Sequence, residues 1–291
     1  MKSFKHGLLA LSLLSLATPS FACTMDGKEG IVEENNLRIP VSQKSINGIT
    51  EEQFNSVIDE VSAVMSPIVA SHGGNLTVVK LWTDETVNAY AEQSGTTWKV
   101  SMFGGLARHE TITRDGMALV VCHEVGHHIG GAPLYSWKSG WASTEGQSDY
   151  FATTKCLRQV WANDNNEEII SRMDVPARVK ELCGQTHLWN GDYALCVRGA
   201  MAGDSVARLF AALRKQEPAK FETPDPKVAK YTQESHPATQ CRLDTYFQGA
   251  LCTVDAREEF SRDTEVTGSC HKTLGFTIGM RPLCWHKPSV E

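Results

Sequence analysis

Apolar residues recur along this chain in two rhythms, and the switches between them lay out its architecture. Thr50-Glu51-Glu52-Gln53 is a capping box. After it, Phe54, Val57, Ile58, Val61, Val64, Met65 and Ile68 fall on one face of a helix, which is predicted to run to about Ala70 and to break at His72-Gly73-Gly74. Three short runs follow, over residues 75–82, 87–91 and 97–103. Their β-branched and aromatic content predicts strands of one small sheet. From Met117 an unbroken apolar run enters a second helix, closed by Gly130-Gly131. Past residue 143 the pattern is helical over 144–161, 165–183, 191–216 and 237–251. Pro218, Pro224 and Pro226 mark a loop at 217–235. Residues 23–49 lack a period and read as an extended arm, and 253–291 as a small disulfide-tied cap. The expected fold class is α+β and mostly helical, with the main domain at 50–252.

The chemistry is concentrated where the second helix begins to turn polar, at His123-Glu124-Val125-Gly126-His127. Residues four apart sit one helical turn above each other, so His123 and His127 present two imidazoles to one metal ion. Glu124 lies about 100° further round, beside the metal, where it can hold and deprotonate a water. Downstream, Ser143-Thr144 reads as the cap of another helix, on which Glu145 and Asp149 share a face. Glu145 supplies the third ligand that a catalytic zinc needs, and Asp149 is spaced to accept the free ring N–H of one histidine. One zinc ion per chain is expected. His128, next to His127 on the helix, points away from the metal. Cys122, beside His123, reads as a core residue. Tyr90, Tyr150 and Tyr246 are equal candidates for an oxyanion donor. The loop 131–143, with Tyr135, Trp137 and Trp141, is a candidate for the site's lining or cover.

Composition narrows the class. Lys2 and Lys5, a short apolar stretch from Leu8 to Ala17 and the Ser20-Phe21-Ala22 site form a secretory leader over residues 1–22. Its apolar part is too short to span a membrane. An exported, periplasmic or secreted chain follows, with no transmembrane segment once the leader is removed. Ser20-Phe21 fits poorly with lipid attachment at Cys23. The nine cysteines point to several disulfides with one residue left over; Cys183–Cys196 and Cys270–Cys284 are the most local pairs. Cys241 and Cys252 fall on one helix, too far apart to bridge each other. The formal charge of −6, made more acidic by loss of the leader lysines, and the lack of a basic run argue against nucleic acid and anionic membranes as partners.

A longer series now comes into view: Asn88-Ala89-Tyr90, Gly104-Gly105, His123-Glu-x-x-His127, Glu145-x-x-x-Asp149 and His236-Pro-x-x-x-x-Arg242. Over residues 50–250 it resembles the gluzincin metallopeptidases of the HtpX and CAAX-prenyl-endopeptidase type, which include soluble periplasmic members. The short interval between His127 and Glu145 and the Glu-x-x-Ser-Asp-x-Phe form of the second motif are closer to thermolysin-like enzymes. The resemblance implies a zincin-like catalytic domain, zinc on His123, His127 and Glu145, and water activation by Glu124. It also implies that His236 is a fourth ligand or an oxyanion stabiliser, and Arg242 a partner of Asp149 or of substrate. In zinc peptidases a strand placed like residues 98–103 pairs with an extended substrate. The expected activity is endopeptidase cleavage of protein or peptide substrates. A rival class is a non-proteolytic zinc-containing binding protein or chaperone of the cell envelope.

Overall fold

The computed structural model describes residues 29–42, 48–136 and 140–289. The expected leader, Cys23 and Trp137 lie outside them. The chain is α+β. Its small sheet has the order β1-β3-β4-β2, from β1 (Glu29–Gly30), β2 (Asn75–Leu81), β3 (Ala89–Ser94) and β4 (Thr97–Phe103). Strands β3 and β4 form an antiparallel hairpin, β2 runs parallel to β4, and β1 lies antiparallel to β3. The arm therefore adds a short edge strand where no strand was expected. Both edges of β4 are paired, so the expectation that residues 98–103 receive a substrate strand is corrected: that strand has no free ladder to offer.

Helix α1 (Glu51–Ser71) opens with the expected capping box, Thr50 and Gln53 bonding reciprocally. Its stripe of Phe54, Val57, Ile58, Val61 and Met65 is buried, while Val64 and Ile68 pack at the margin. Gly104-Gly105 opens a one-turn helix, α2 (Gly104–Ala107). Helix α3 (Arg114–Ile129) is buried along its length. Its N-terminus is fastened to α8 (Asn190–Arg214) by Arg198, whose guanidinium makes a two-point contact with Asp115 at 2.8 and 2.9 Å.

The stretch predicted as one helix over 144–161 is three pieces: α4 (Glu145–Phe151), a π turn at Ala152–Cys156, and α5 (Leu157–Val160). The helix predicted over 165–183 is split into α6 (Asn166–Ser171) and α7 (Ala177–Thr186), because Pro176 cannot continue a helix. Helix α9 (Thr239–Leu251) follows the proline loop.

Among the described residues four disulfides join Cys122–Cys156, Cys183–Cys196, Cys241–Cys284 and Cys252–Cys270. The local pair Cys183–Cys196 is as expected, and Cys241 and Cys252 each bond elsewhere. The expected Cys270–Cys284 pair is not formed; each cysteine of the C-terminal segment reaches back to α9 or its end instead. That segment folds onto the main body, with Phe260 and Cys270 in the principal core and Trp285 buried. No helix among the described residues is long and apolar enough to cross a membrane.

Candidate metal centre

Two helices carry the site. α3 brings His123, Glu124 and His127 to one side, and α4 crosses it with Glu145 and Asp149; all five side chains are fully buried. The crossing is close because Gly126, between the two histidines, lacks a side chain. A Cβ there would stand 3.0 Å from the Phe151 ring and 3.1 Å from the Ser148 backbone. The disulfide Cys122–Cys156 ties α3, one residue before His123, to the π turn that continues α4. Cys122 is thus a covalent tie in the core. Thr144 occupies the N-cap position of α4, but its hydroxyl makes no capping bond, and Ser143 Oγ donates to Gly131 O instead; side-chain capping was expected here and is absent.

His123, His127 and Glu145 bring ligand atoms within 4.8 Å of one another. His123 Nε2 lies 3.3 Å from Glu145 Oε2 and His127 Nε2 lies 3.6 Å from Glu145 Oε1. Ligands at about 2.0–2.1 Å from one tetrahedral zinc are about 3.3 Å apart, so the spacing suits a shared ion. His123 Nε2, His127 Nε2 and Glu145 Oε2 are buried with no hydrogen-bond partner. Burial of three such atoms without compensation is costly, and a divalent cation would satisfy all three at once.

The opposite ring nitrogens are held. His127 Nδ1 donates to Ser143 O at 2.8 Å, and His123 Nδ1 stands 2.7 Å from Asp149 Oδ1. In each ring this leaves the Nε2 lone pair free for a ligand bond. Asp149 is itself gripped by Arg242, whose Nε and Nη2 donate to its two oxygens at 2.7 Å, and by Tyr246 Oη at 2.6 Å. Arg242 is buried and committed to Asp149 and to Ile31 O, so of its two expected roles it takes the one towards Asp149.

Burial opposes the charged form of every group here, and neighbouring charges decide the outcome. For Asp149, burial is outweighed by Arg242 and His123, and its carboxyl is held below the usual range. For Glu145, burial is outweighed by the three surrounding histidines, foremost His236, and its carboxyl lies well below the usual value. Burial pushes His127 down to about 4, so the ring is neutral, as a ligand must be. Burial also opposes charge on His123, but Asp149 and Glu145 together raise it to about 9 in the metal-free protein. Glu124 is driven up to about 8, chiefly by burial, and both its oxygens are unpartnered.

His236 reaches the site from the loop before α9. Its Nε2 lies 3.3 Å from Glu145 Oε2 and donates to Gly30 O at 2.8 Å. It stands beside the three-ligand group and is not a member of it. His128 points away, as expected, between the rings of Trp98 and Trp141, with centroids 5.4 and 5.1 Å distant. The tyrosines sort themselves. Tyr150 donates to Gly279 O, Tyr246 to Asp149, and Tyr90 to Glu34. Tyr135, on the loop between α3 and α4, is buried and directs its hydroxyl to Glu145 Oε1 at 3.3 Å. The sequence named Tyr135 with Trp137 and Trp141 as a candidate for the site's lining or cover, without a contact to Glu145. A second grouping, Asp225 with Cys241 and Cys284, is a disulfide rather than a pair of thiolate ligands. No family model matches this chain, and neither a curated protein nor a solved structure does.

Proposed function

We propose that the chain is an exported zinc-dependent endopeptidase of the gluzincin type, acting on proteins or peptides of the cell envelope or its surroundings. The observation that carries this reading is the convergence of His123 Nε2, His127 Nε2 and Glu145 Oε2, unpartnered and buried, next to an equally unpartnered Glu124 carboxylate. When bound, zinc supplies a Lewis acid and makes a water acidic enough to attack near neutral pH. His123 and His127 would hold the ion through Nε2, with Asp149 and Ser143 O fixing their rings. Glu145 would be the third ligand, and a set of three protein ligands is that of catalytic rather than structural zinc sites. Glu124 takes the water's proton and passes it to the leaving amine. His236, with Nε2 at 3.3 Å from Glu145 Oε2, serves as a donor for the oxyanion that develops on the substrate, a contribution typically of about 3 kcal/mol. Four disulfides suit an oxidising compartment outside the cytosol.

The rival reading, a zinc-containing binding protein without turnover, gives Glu124 no task, since a closed structural site has no use for an unpaired buried carboxylate. Metal content and casein cleavage should be measured on the parent and on Glu124→Gln. We expect one zinc in each and chelator-sensitive cleavage in the parent alone. Equal hydrolysis by the two would sink the assignment, and zinc without turnover in either would favour the binding protein.

A further inference from the structure

The arm before α1 passes directly over this centre. β1 pairs with β3 at Tyr90 and Ala91, and Ile31 N–H continues the ladder to Ala89 O at 3.2 Å. Beyond the ladder, the Asn88 side chain takes over the part of a partner strand. Its Oδ1 accepts from Val32 N at 3.3 Å, and its Nδ2 donates to Val32 O at 3.1 Å. On the other side, His236 Nε2 donates to Gly30 O and Arg242 Nη1 donates to Ile31 O at 2.6 Å. Donors of the centre thus grip two successive arm carbonyls, and β1 touches α3. Gly30 sits in the narrowest part: a Cβ would be 2.9 Å from Asn88 Oδ1, 3.0 Å from the Tyr90 ring and 3.1 Å from Ala89 O.

We infer that the outer edge of β3, with Asn88, His236 and Arg242, is a channel for an extended peptide backbone, and that the chain's own residues 29–32 occupy it as an internal inhibitor. This rests on the peptidase reading above. Main-chain hydrogen bonds to a sheet edge recognise any extended chain, so the arm and a substrate compete for the same donors. β4, closed on both sides, cannot take the substrate, and β3 exposes its outer edge once β1 leaves. His236 cannot donate to a substrate oxygen while Gly30 O holds its N–H. The full chain therefore turns over slowly, in the fraction of time the arm is open, and full activity requires the arm to be displaced or cut. Ile31 and Val32 are buried in the principal core, and the covalent link to Ile39 keeps the local concentration of the arm high, so it is an effective competitor.

The test uses the zinc-loaded full chain, Gly30→Glu, and a leucine-containing dipeptide hydroxamate as a metal-directed probe. Gly30→Glu cannot fit the narrows and should bind the hydroxamate at least tenfold more tightly, lose zinc to a chelator faster, and cleave casein faster. In the parent, saturating hydroxamate should strip hydrogen-exchange protection from the Ile31 and Val32 amides, a readout that needs no variant to fold. Hydroxamate binding to the parent with both amides still protected overturns the proposal, as does equal affinity in a folded Gly30→Glu. Failure of the folded parent to hold zinc would overturn the metal-centre reading, and the inhibitory arm with it.

Discussion

Cys122 and Cys156 are bonded to each other, and Cys122 is the residue immediately before His123. The bond therefore joins the helix that presents the two histidines to the one that presents Glu145. Removing it should do more than loosen the core. Closing a loop of 34 residues stabilises a fold by about 3–4 kcal/mol in the chain-entropy account. The Cys122→Ala/Cys156→Ala double variant should unfold at correspondingly lower denaturant and release zinc more readily. A variant with parental zinc affinity would show that packing alone aligns the helices.

Asp149 aligns His123 and neutralises Arg242, all three fully buried. Asp149→Ala leaves a buried guanidinium unpaired, a loss of about 3–5 kcal/mol. It also frees the His123 ring, which should weaken zinc by roughly 10–100-fold. Denaturant unfolding and chelator competition would report the two effects separately; unchanged zinc affinity would mean that His123 is held by packing.

The unpartnered ligand atoms predict a fold that gains stability from metal. Free zinc at a hundredfold excess over its dissociation constant should add about 2.7 kcal/mol to stability, seen as a higher melting temperature. His127→Ala should abolish most of that increment. A melting temperature indifferent to zinc and chelator would count against the site.

Lys155 gives a pH signature away from the metal. Its Nζ is buried, donates to Asp255 O at 2.8 Å and lies 5.0 Å from the Phe260 ring. Burial, reinforced by Arg158, lowers it from 10.5 to about 7. The unfolded chain keeps the proton over that interval and the folded chain does not. Stability should therefore rise with pH from about 7 to 10, with a limiting slope of about 1.4 kcal/mol per pH unit. Lys155→Met should flatten the slope. Urea midpoints at pH 7.5 and 9.5 decide the matter, and parallel shifts in parent and variant would refute it.

Much of the site was legible because it is built from local spacings. His123 and His127 are four apart on a helix, as are Glu145 and Asp149, and each pair must share a face wherever the helices go. The strands of the sheet were legible from their β-branched and aromatic runs. The π turn at Ala152–Cys156 was not, because a single extra residue in a helical turn leaves the apolar period nearly unchanged. The disulfides divided along the same line. Cys183–Cys196 spans a short interval and could be named, whereas Cys241–Cys284 and Cys252–Cys270 depend on how the C-terminal segment lies against α9.

By itself, then, the sequence determined which side chains face together within each element: the histidine pair, the two carboxylates, the capped and striped first helix. Helical period and side-chain chemistry suffice for that, since both act over a few residues. Only the tertiary structure decided which of those faces meet. It placed Arg242 on Asp149, closed both edges of β4, brought Tyr135 to Glu145, and laid Gly30 against His236. The physical reason is that such contacts join residues as much as 211 positions apart. Their pairing is chosen by close packing and by the need to satisfy buried polar groups, and no local pattern along the chain encodes either.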